Sequence, residues 1–432
     1  MKRLIISLFL LSTISLIAFA YDGMWGGRLD FNLELPEVMG STASIHSEDH
    51  LSLWYRGTWG DVANLEIEGG VGGTLDFIMG LDTDLKFEYK QTEYTIYPEL
   101  DLLNIYGTVD GWDYRAGRFF FSDPASLVIS TPADGVSAYY SFGSHFLGMG
   151  VGYAGLTFNE SVEYYLTQQD VKNIEEQLLA NARLMEFLHW SMPGALAEFQ
   201  PSVYFLGLQD LSSSASLAED DVQRLQTYYA QAMVRGNVGG RLLYEVAASG
   251  QYGKYGSSQI LAGAARTELA VALVPSLWLT FEGLVSTGDV WSDRDGYLLG
   301  GTVADSLNQY LPVSTVATRG YVVEFELGNL TSFGLGLNWK SSETFALELS
   351  GTTFLRMANG PVSASQVTSS SGESLFVGQE GLLGFYWRPT SDFGWNLKAG
   401  VLYPGSPIVI DANLKRYLPV LFKMGFDVSW SF

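Results

Sequence analysis

Val420-Leu421-Phe422-Lys423-Met424-Gly425-Phe426-Asp427-Val428-Ser429-Trp430-Ser431-Phe432 stands at the end of the chain. Val420, Phe422, Met424, Phe426, Val428, Trp430 and Phe432 share one face, and Leu421, Lys423, Gly425, Asp427, Ser429 and Ser431 share the other. Successive side chains of an extended chain point to opposite faces, so this alternation predicts a strand with one apolar and one mostly polar face. The pattern recurs upstream. Leu29, Phe31, Leu33 and Leu35 alternate with Arg28, Asp30, Asn32 and Glu34, and Trp395, Leu397, Ala399 and Val401 alternate with Asn396, Lys398 and Gly400. Leu65 and Ile67, Leu277 to Val285, and Phe345 to Leu349 repeat it. Many such segments of about ten residues are what a transmembrane barrel requires.

The connections sort into two kinds. Short turns are read at Gly60-Asp61, Asp110-Gly111, Gly143-Ser144, Pro193-Gly194, Gly236-Asn237, Pro275-Ser276, Ser341-Ser342 and Pro389–Asp392. Longer, more polar connections fall near 36–50, 80–93, 122–134, 159–180, 211–222, 253–257, 288–325, 358–375 and 405–419. Eight short turns and nine long loops predict an all-β antiparallel barrel of about eighteen strands over residues 21–432, with sixteen also admitted by the parity. Barrels of 16–18 strands leave an aqueous channel. A soluble solenoid is the competing architecture, and the chain lacks the fixed repeat of 20–50 residues that it needs.

Met1–Ala20 reads separately. Lys2 and Arg3 precede the apolar run Leu4 to Leu11, and Ala18-Phe19-Ala20 supplies a small-x-small cleavage box. This is the pattern of an export signal peptide over 1–20, with an uncleaved anchor helix as the alternative. Gly135–Asn159 is the longest later stretch without charge, but its glycines and serines make it two strands rather than a membrane helix.

Composition excludes several chemistries. The 432 residues include no cysteine, which removes disulfide scaffolds, thiolate metal sites and thiol nucleophiles. A formal charge of −23 argues against nucleic acid, which needs a basic stripe. His46-Ser47-Glu48-Asp49-His50 places two imidazoles four apart, a metal-binding spacing on a helix, but here in a loop. Gly150-Val151-Gly152-Tyr153-Ala154-Gly155 has glycine-motif spacing inside a strand with no following helix. No cofactor and no enzymatic activity are expected. Val171–Ala180 reads as a short surface helix.

In a barrel the polar face of each strand points into the lumen. Eleven carboxylates then face inward, with Glu66, Glu68, Glu245, Glu268, Glu282 and Glu380 among them. They face nine cations: Arg28, Arg56, Arg118, Arg241, Arg266, Arg356, Arg388, Lys398 and Lys423. Near balance predicts a lumen suited to small polar solutes, with the negative excess in the outer loops. Arg241 with Glu245, and Arg266 with Glu268, read equally as a wall-stiffening ladder and as solute contacts. Trp54, Tyr204 and Trp278 would be the start of a greasy track for an oligosaccharide.

The loop 122–134 is apolar for an exposed segment, with Pro124, Ala125, Leu127, Val128, Ile129, Pro132 and Ala133. It is expected to fold into the lumen and narrow it. Gly148, Gly150 and Gly152 form an inward row without side chains that leaves room for it, or that relieves barrel curvature.

At these residues the chain resembles Gram-negative outer-membrane porins. The Gly117-Arg118 strand end and Asp134-Gly135 look like the constriction-loop region of that group, and Gly378-Gln379-Glu380 with Tyr403-Pro404-Gly405 look like the eighteen-stranded alginate-export-type barrels. The resemblance implies a bacterial outer-membrane location, lipid around the barrel, trimers or another homo-oligomer, and Phe432 as the signal read by the barrel-assembly machinery. It implies passive diffusion of small hydrophilic solutes through a pore lined by Arg118, Glu66, Glu68, Arg241, Glu245, Arg266, Glu268, Glu282 and Glu380. A substrate-selective channel and an adhesive barrel with acidic loops are the alternatives.

Overall fold

The computed structural model describes residues 22–35, 38–39, 42–59, 63–81, 87–157, 166–167, 170, 177, 179–193, 196, 198–211, 224–289, 306–314, 319–360, 362, 368–369, 374–405, 408–409 and 420–432. The signal region Met1–Ala20, most of the expected helix Val171–Ala180 and several acidic loop residues lie outside them. Among the described residues no helix is long and apolar enough to cross a membrane.

Eighteen strands form the wall. They are β1 (Asp22–Leu35), β2 (Thr42–Trp59), β3 (Ala63–Leu81), β4 (Phe87–Val109), β5 (Trp112–Ser122) and β6 (Ser130–Phe142). Next come β7 (His145–Tyr153), β8 (Arg183–Ser191), β9 (Gln200–Asp210), β10 (Leu225–Val238), β11 (Leu242–Tyr255) and β12 (Ser258–Val274). The last six are β13 (Leu277–Ser286), β14 (Leu330–Ser342), β15 (Phe345–Arg356), β16 (Phe376–Trp387), β17 (Phe393–Pro404) and β18 (Leu421–Ser431). Each pairs antiparallel with its neighbour, and β1 pairs with β18 from Arg28↔Ser431 to Leu35↔Met424. Closure leaves no free edge, which a sheet in lipid requires.

The alternation decides the faces. Leu29, Leu51, Leu53, Val71, Leu335, Leu349, Leu383 and Val401 are among the exposed apolar side chains of the outer face. At the short-turn rim that face carries aromatic rings. Trp112 stacks on Tyr140 at 4.9 Å, and Phe345, Phe385 and Trp395 follow one another at 4.9 and 5.0 Å. Such girdles sit at membrane interfaces, where rings are partly wet. Phe432 exchanges backbone hydrogen bonds with Gly27 at 3.0 Å in both directions, and its ring lies beside Trp430.

Local departures from the sequence reading have local causes. Strands β2 and β4 begin at residues 42 and 87, so the connections read as 36–50 and 80–93 shrink and His46 and His50 fall on a strand. Residues four apart on a strand are about 13 Å apart, which ends the helical metal-pair idea. The turn read at Gly236-Asn237 falls at 239–241, where Gly239 and Gly240 adopt φ of 60° and 69°. The connection read as 253–257 is a two-residue turn at 256–257.

Candidate functional site

The lumen is shaped by two segments that leave the wall. The first is the expected inward loop, and it is a hairpin rather than a simple loop. Strand β5 pairs with β4 only as far as Leu103↔Arg118, and β6 pairs with β7 only from Asp134↔Tyr153. Beyond those points Phe119–Ser122 and Ser130–Ala133 pair only with each other. The connection is therefore 123–129, not 122–134, because Ser130 to Asp134 belong to β6. Gly117, with φ of 117°, and Gly135 face each other where the hairpin bends away. A side chain at Gly117 would meet the Leu103 carbonyl, so only glycine fits.

Asp123 organises the tip. Its carboxylate accepts the backbone N–H groups of Ala125, Leu127, Val128 and Ile129 at 2.8–3.2 Å, and the side-chain amide of Gln231 on β10. Leu127, Val128 and Ile129 are at most 1 % exposed. Their cover is the second inward segment, 306–314, between β13 and β14. Val313 N–H donates to the Val128 carbonyl at 2.7 Å, and the Tyr310 hydroxyl donates to the Leu127 carbonyl at 2.9 Å. Burial pushes the Tyr310 phenol well above its ordinary pKa, so it stays a neutral donor. The far side is held by β10 and β11: Tyr229 donates to the Leu311 carbonyl, and Leu311 N–H donates to Gln251.

The same connection continues as a strap, 319–327, that reaches β16 and β18. Glu380 is 6 % exposed and accepts the N–H groups of Tyr321 and Val322 at 2.7 and 2.8 Å. Lys423 bridges Glu34 on β1 and Glu324 on the strap at 2.9 and 3.0 Å. Tyr321 lies where Gly400 and Gly425 leave space. Sequence reasoning missed this strap by assigning 288–325 to the outside. The signal was present: Tyr310-Leu311-Pro312-Val313 and the alternation of Val323, Phe325 and Leu327 with Glu324 and Glu326 are as apolar as the first inward loop.

The glycine row of β7 is filled as well. A Cβ at Gly152 would lie 2.7 Å from the Phe121 ring, one at Gly148 2.6 Å from Tyr139, and one at Gly150 would meet Phe187. One ring comes from the hairpin and two from the wall. Gly152→Val is expected to lower the thermal midpoint of the folded barrel's gel-mobility shift, because overpacking costs about 1–3 kcal/mol. An unchanged midpoint would show that Phe121 is not seated there.

The residues singled out in the sequence occupy different surroundings. Arg118 is 6 % exposed in the gap that the hairpin leaves. Its guanidinium bonds Asp134 at 2.7 and 3.1 Å and the carbonyls of Leu100 and Leu156 at 3.3 and 2.8 Å. It thereby ties β4 to the chain after β7. Arg241 lies in the turn after β10, away from Glu245. Glu245 is bonded instead by Arg266 at 2.6 Å, Arg266 lies 3.2 Å from Glu268, and Arg319 of the strap lies 3.4 Å from Glu282. Glu66 pairs with Arg56 at 2.8 Å, Glu68 lies beside it on the inward register of β3, and Glu380 holds the strap. Trp54, Tyr204 and Trp278 stand on β2, β9 and β13, and Tyr204 is 2 % exposed among Phe187 and His189, so they form no track.

Among the described residues, the lower lumen at the short-turn end holds open cavities. A cavity of about 700 Å³ is lined by Thr58, Asn64, Tyr106, Asp113, Arg115 and Tyr139, and one of about 370 Å³ by Gln200, Arg235, Glu245, Glu268 and Glu282. No protein-family model matches the chain, and no curated protein does. Solved structures do. OccK7 (OpdD) of Pseudomonas aeruginosa superposes with a TM-score of 0.62 at 9 % identity, covering 95 % of this chain and 99 % of that one. OccK5 (OpdH) and OpdK of the same organism give 0.58 and 0.59 at 11 % and 9 % identity, each over 96 % of this chain and 99 % of theirs. The chain has an outer-membrane porin fold. In barrels of this fold the short turns lie at the periplasmic end and the longer loops outside.

Proposed function

We propose that this barrel is an outer-membrane channel through which small hydrophilic solutes diffuse passively, narrowed by the hairpin 119–133 and the strap 319–327. The observation that carries the reading is the lumen itself. Eighteen strands enclose more space than the two inward segments fill, and polar side chains line the remaining cavities. An inner wall of ion pairs and polar groups suits hydrated solutes, and with the likeness to porin structures it supports the reading of a channel rather than an enzyme. Met1–Ala20 is read as the export signal, Phe432 as the assembly signal, and the exposed outer face as the lipid contact. A homo-oligomer is in keeping with that face.

Refolded chain in a planar bilayer is expected to give stable single-channel openings. A barrel shown to be folded by heat-modifiable mobility, yet giving no openings, would overturn the channel reading in favour of a closed, adhesive barrel.

A further inference from the structure

The two inward segments decide which part of the inner wall a solute meets. Inward side chains of β10 and β11 are covered: Thr227, Gln231, Ser249 and Gln251 are at most 4 % exposed. On β15 to β18, Phe354, Glu380, Leu402 and Leu421 are at most 6 % exposed. On β1 and β2 the side chains stay open, at 57 % for Arg28, 51 % for Arg56, 40 % for Glu48 and 28 % for His50. Among the described residues, a water-accessible path therefore follows β1 to β4, and Glu268 and Glu282 on β12 and β13, 37 % and 55 % exposed, open to the cavity at the short-turn end.

Three of the cations facing that path are held by carboxylates. Arg28 holds Asp30 at 2.7 Å, Arg56 holds Glu66 at 2.8 Å, and Lys423 is shared by Glu34 and Glu324. Arg118 is turned to Asp134 in the wall gap, and Arg115 lies lower, facing the Tyr106 and Phe119 rings at 5.7 and 5.5 Å. Four carboxylates remain. Glu48 and Glu99 share the His50 imidazole at 3.0 and 3.2 Å. Glu68 and Asp101 make no ion pair or hydrogen bond among the described residues. Asp101 is the extra residue of a bulge, since Glu68 pairs with Leu102 and Gly69 with Leu100. It stands among Glu99, Glu68 and His50, with the Arg118 guanidinium a weaker neighbour.

The near balance counted along the sequence does not survive this placement. Arg241 and Arg388 lie in turns, and Arg356 is buried against the carbonyls of Gly360 and Ser374. Glu48, Glu99, Asp101 and Glu324 join the acidic side and Glu198 leaves it for a turn, while Arg115, Arg235 and Arg319 join the basic side, so carboxylates outnumber cations.

We infer that the passage is selective for small cations and cationic solutes, with Glu68 and Asp101 as the residues that set the preference. Fixed negative charge beside a narrow water path with low-dielectric walls concentrates counter-ions and excludes co-ions. The effect is a field along the path, not chelation: among the described residues no group of three or more ligands suits a metal. The inference rests on the reading of the barrel as an open channel.

The test is the reversal potential of the full chain across a KCl gradient in a planar bilayer, at alkaline pH where carboxylates are ionised. The potassium-to-chloride permeability ratio is expected to exceed about five. Glu68→Gln and Asp101→Asn are each expected to lower it about two- to fourfold, less at high salt, while Glu68→Asp retains it. A folded barrel without openings overturns the channel reading itself. Open channels with a ratio at or below one, or a ratio that neither neutralisation moves, overturn this inference alone. Liposome swelling with lysine and glutamate as probes gives a second readout that needs no variant. Faster lysine entry supports the inference, and equal or faster glutamate entry overturns it.

Discussion

Asp123→Ala is expected to raise single-channel conductance roughly two- to fourfold and to admit larger solutes in liposome swelling. The carboxylate satisfies four backbone N–H groups of the hairpin tip and the Gln231 amide, and it is 4 % exposed. Removing it leaves those buried donors unmet, at about 1–3 kcal/mol each. The sum rivals the whole net stability of a domain, about 5–15 kcal/mol. Beyond Arg118 and Asp134 the hairpin pairs with no wall strand and touches the wall through side chains alone, so it can loosen while the barrel stays closed. Asp123→Asn keeps one acceptor oxygen and should fall between. Wild-type conductance from a folded Asp123→Ala barrel would show that the tip does not narrow the path.

Glu380→Ala acts on the other inward segment and should show a different signature. The strap loses the acceptor of the Tyr321 and Val322 N–H groups, each bond to a charged group contributing about 1.5–3 kcal/mol. Two other anchors persist, Lys423 on Glu324 and Arg319 near Glu282. The strap is therefore expected to detach and return, giving open-channel noise with discrete substates rather than one larger level. Protease cleavage within 319–329 should accompany it. Steady currents and an uncut strap would mean that the remaining anchors suffice. Glu380→Gln, which keeps one acceptor but adds an amide facing two donors, should give the same noise to a smaller extent.

The two variants separate the segments because the hairpin and strap meet mainly through 306–314. Ser130 N–H donates to Ser314, and Val313 N–H to the Val128 carbonyl. Partners 184 residues apart in the chain are joined there. The alternation around Lys423 and Asp427 shows that both point inward, yet nothing near Lys423 announces that Glu34 and Glu324 will share its ammonium. Arg118 is a sharper case. Its place in an alternating strand suggests a lumenal guanidinium, but the bend at Gly117 opens a gap in the wall and the side chain fills it. Arg241 shows the reverse. Its turn, shifted by three residues from the Gly236-Asn237 reading, carries it out of the wall altogether.

The sequence by itself determined the wall in outline: strand identity, about eighteen segments with sixteen also admitted, and the face of most of them. These follow from an alternation set within a few residues by the geometry of the extended chain and from lipid on one side. It also marked the apolar loop after β5 as a segment that must be covered, since a run such as Leu127-Val128-Ile129 is costly in water. Tertiary structure alone decided where that hairpin leaves the wall, that a second strap covers it, and which lumenal charges stay unpaired. Those outcomes depend on contacts across the barrel between residues tens to hundreds of positions apart. Ion pairing falls off within a few ångströms of side-chain reach, a distance the linear order of residues does not encode.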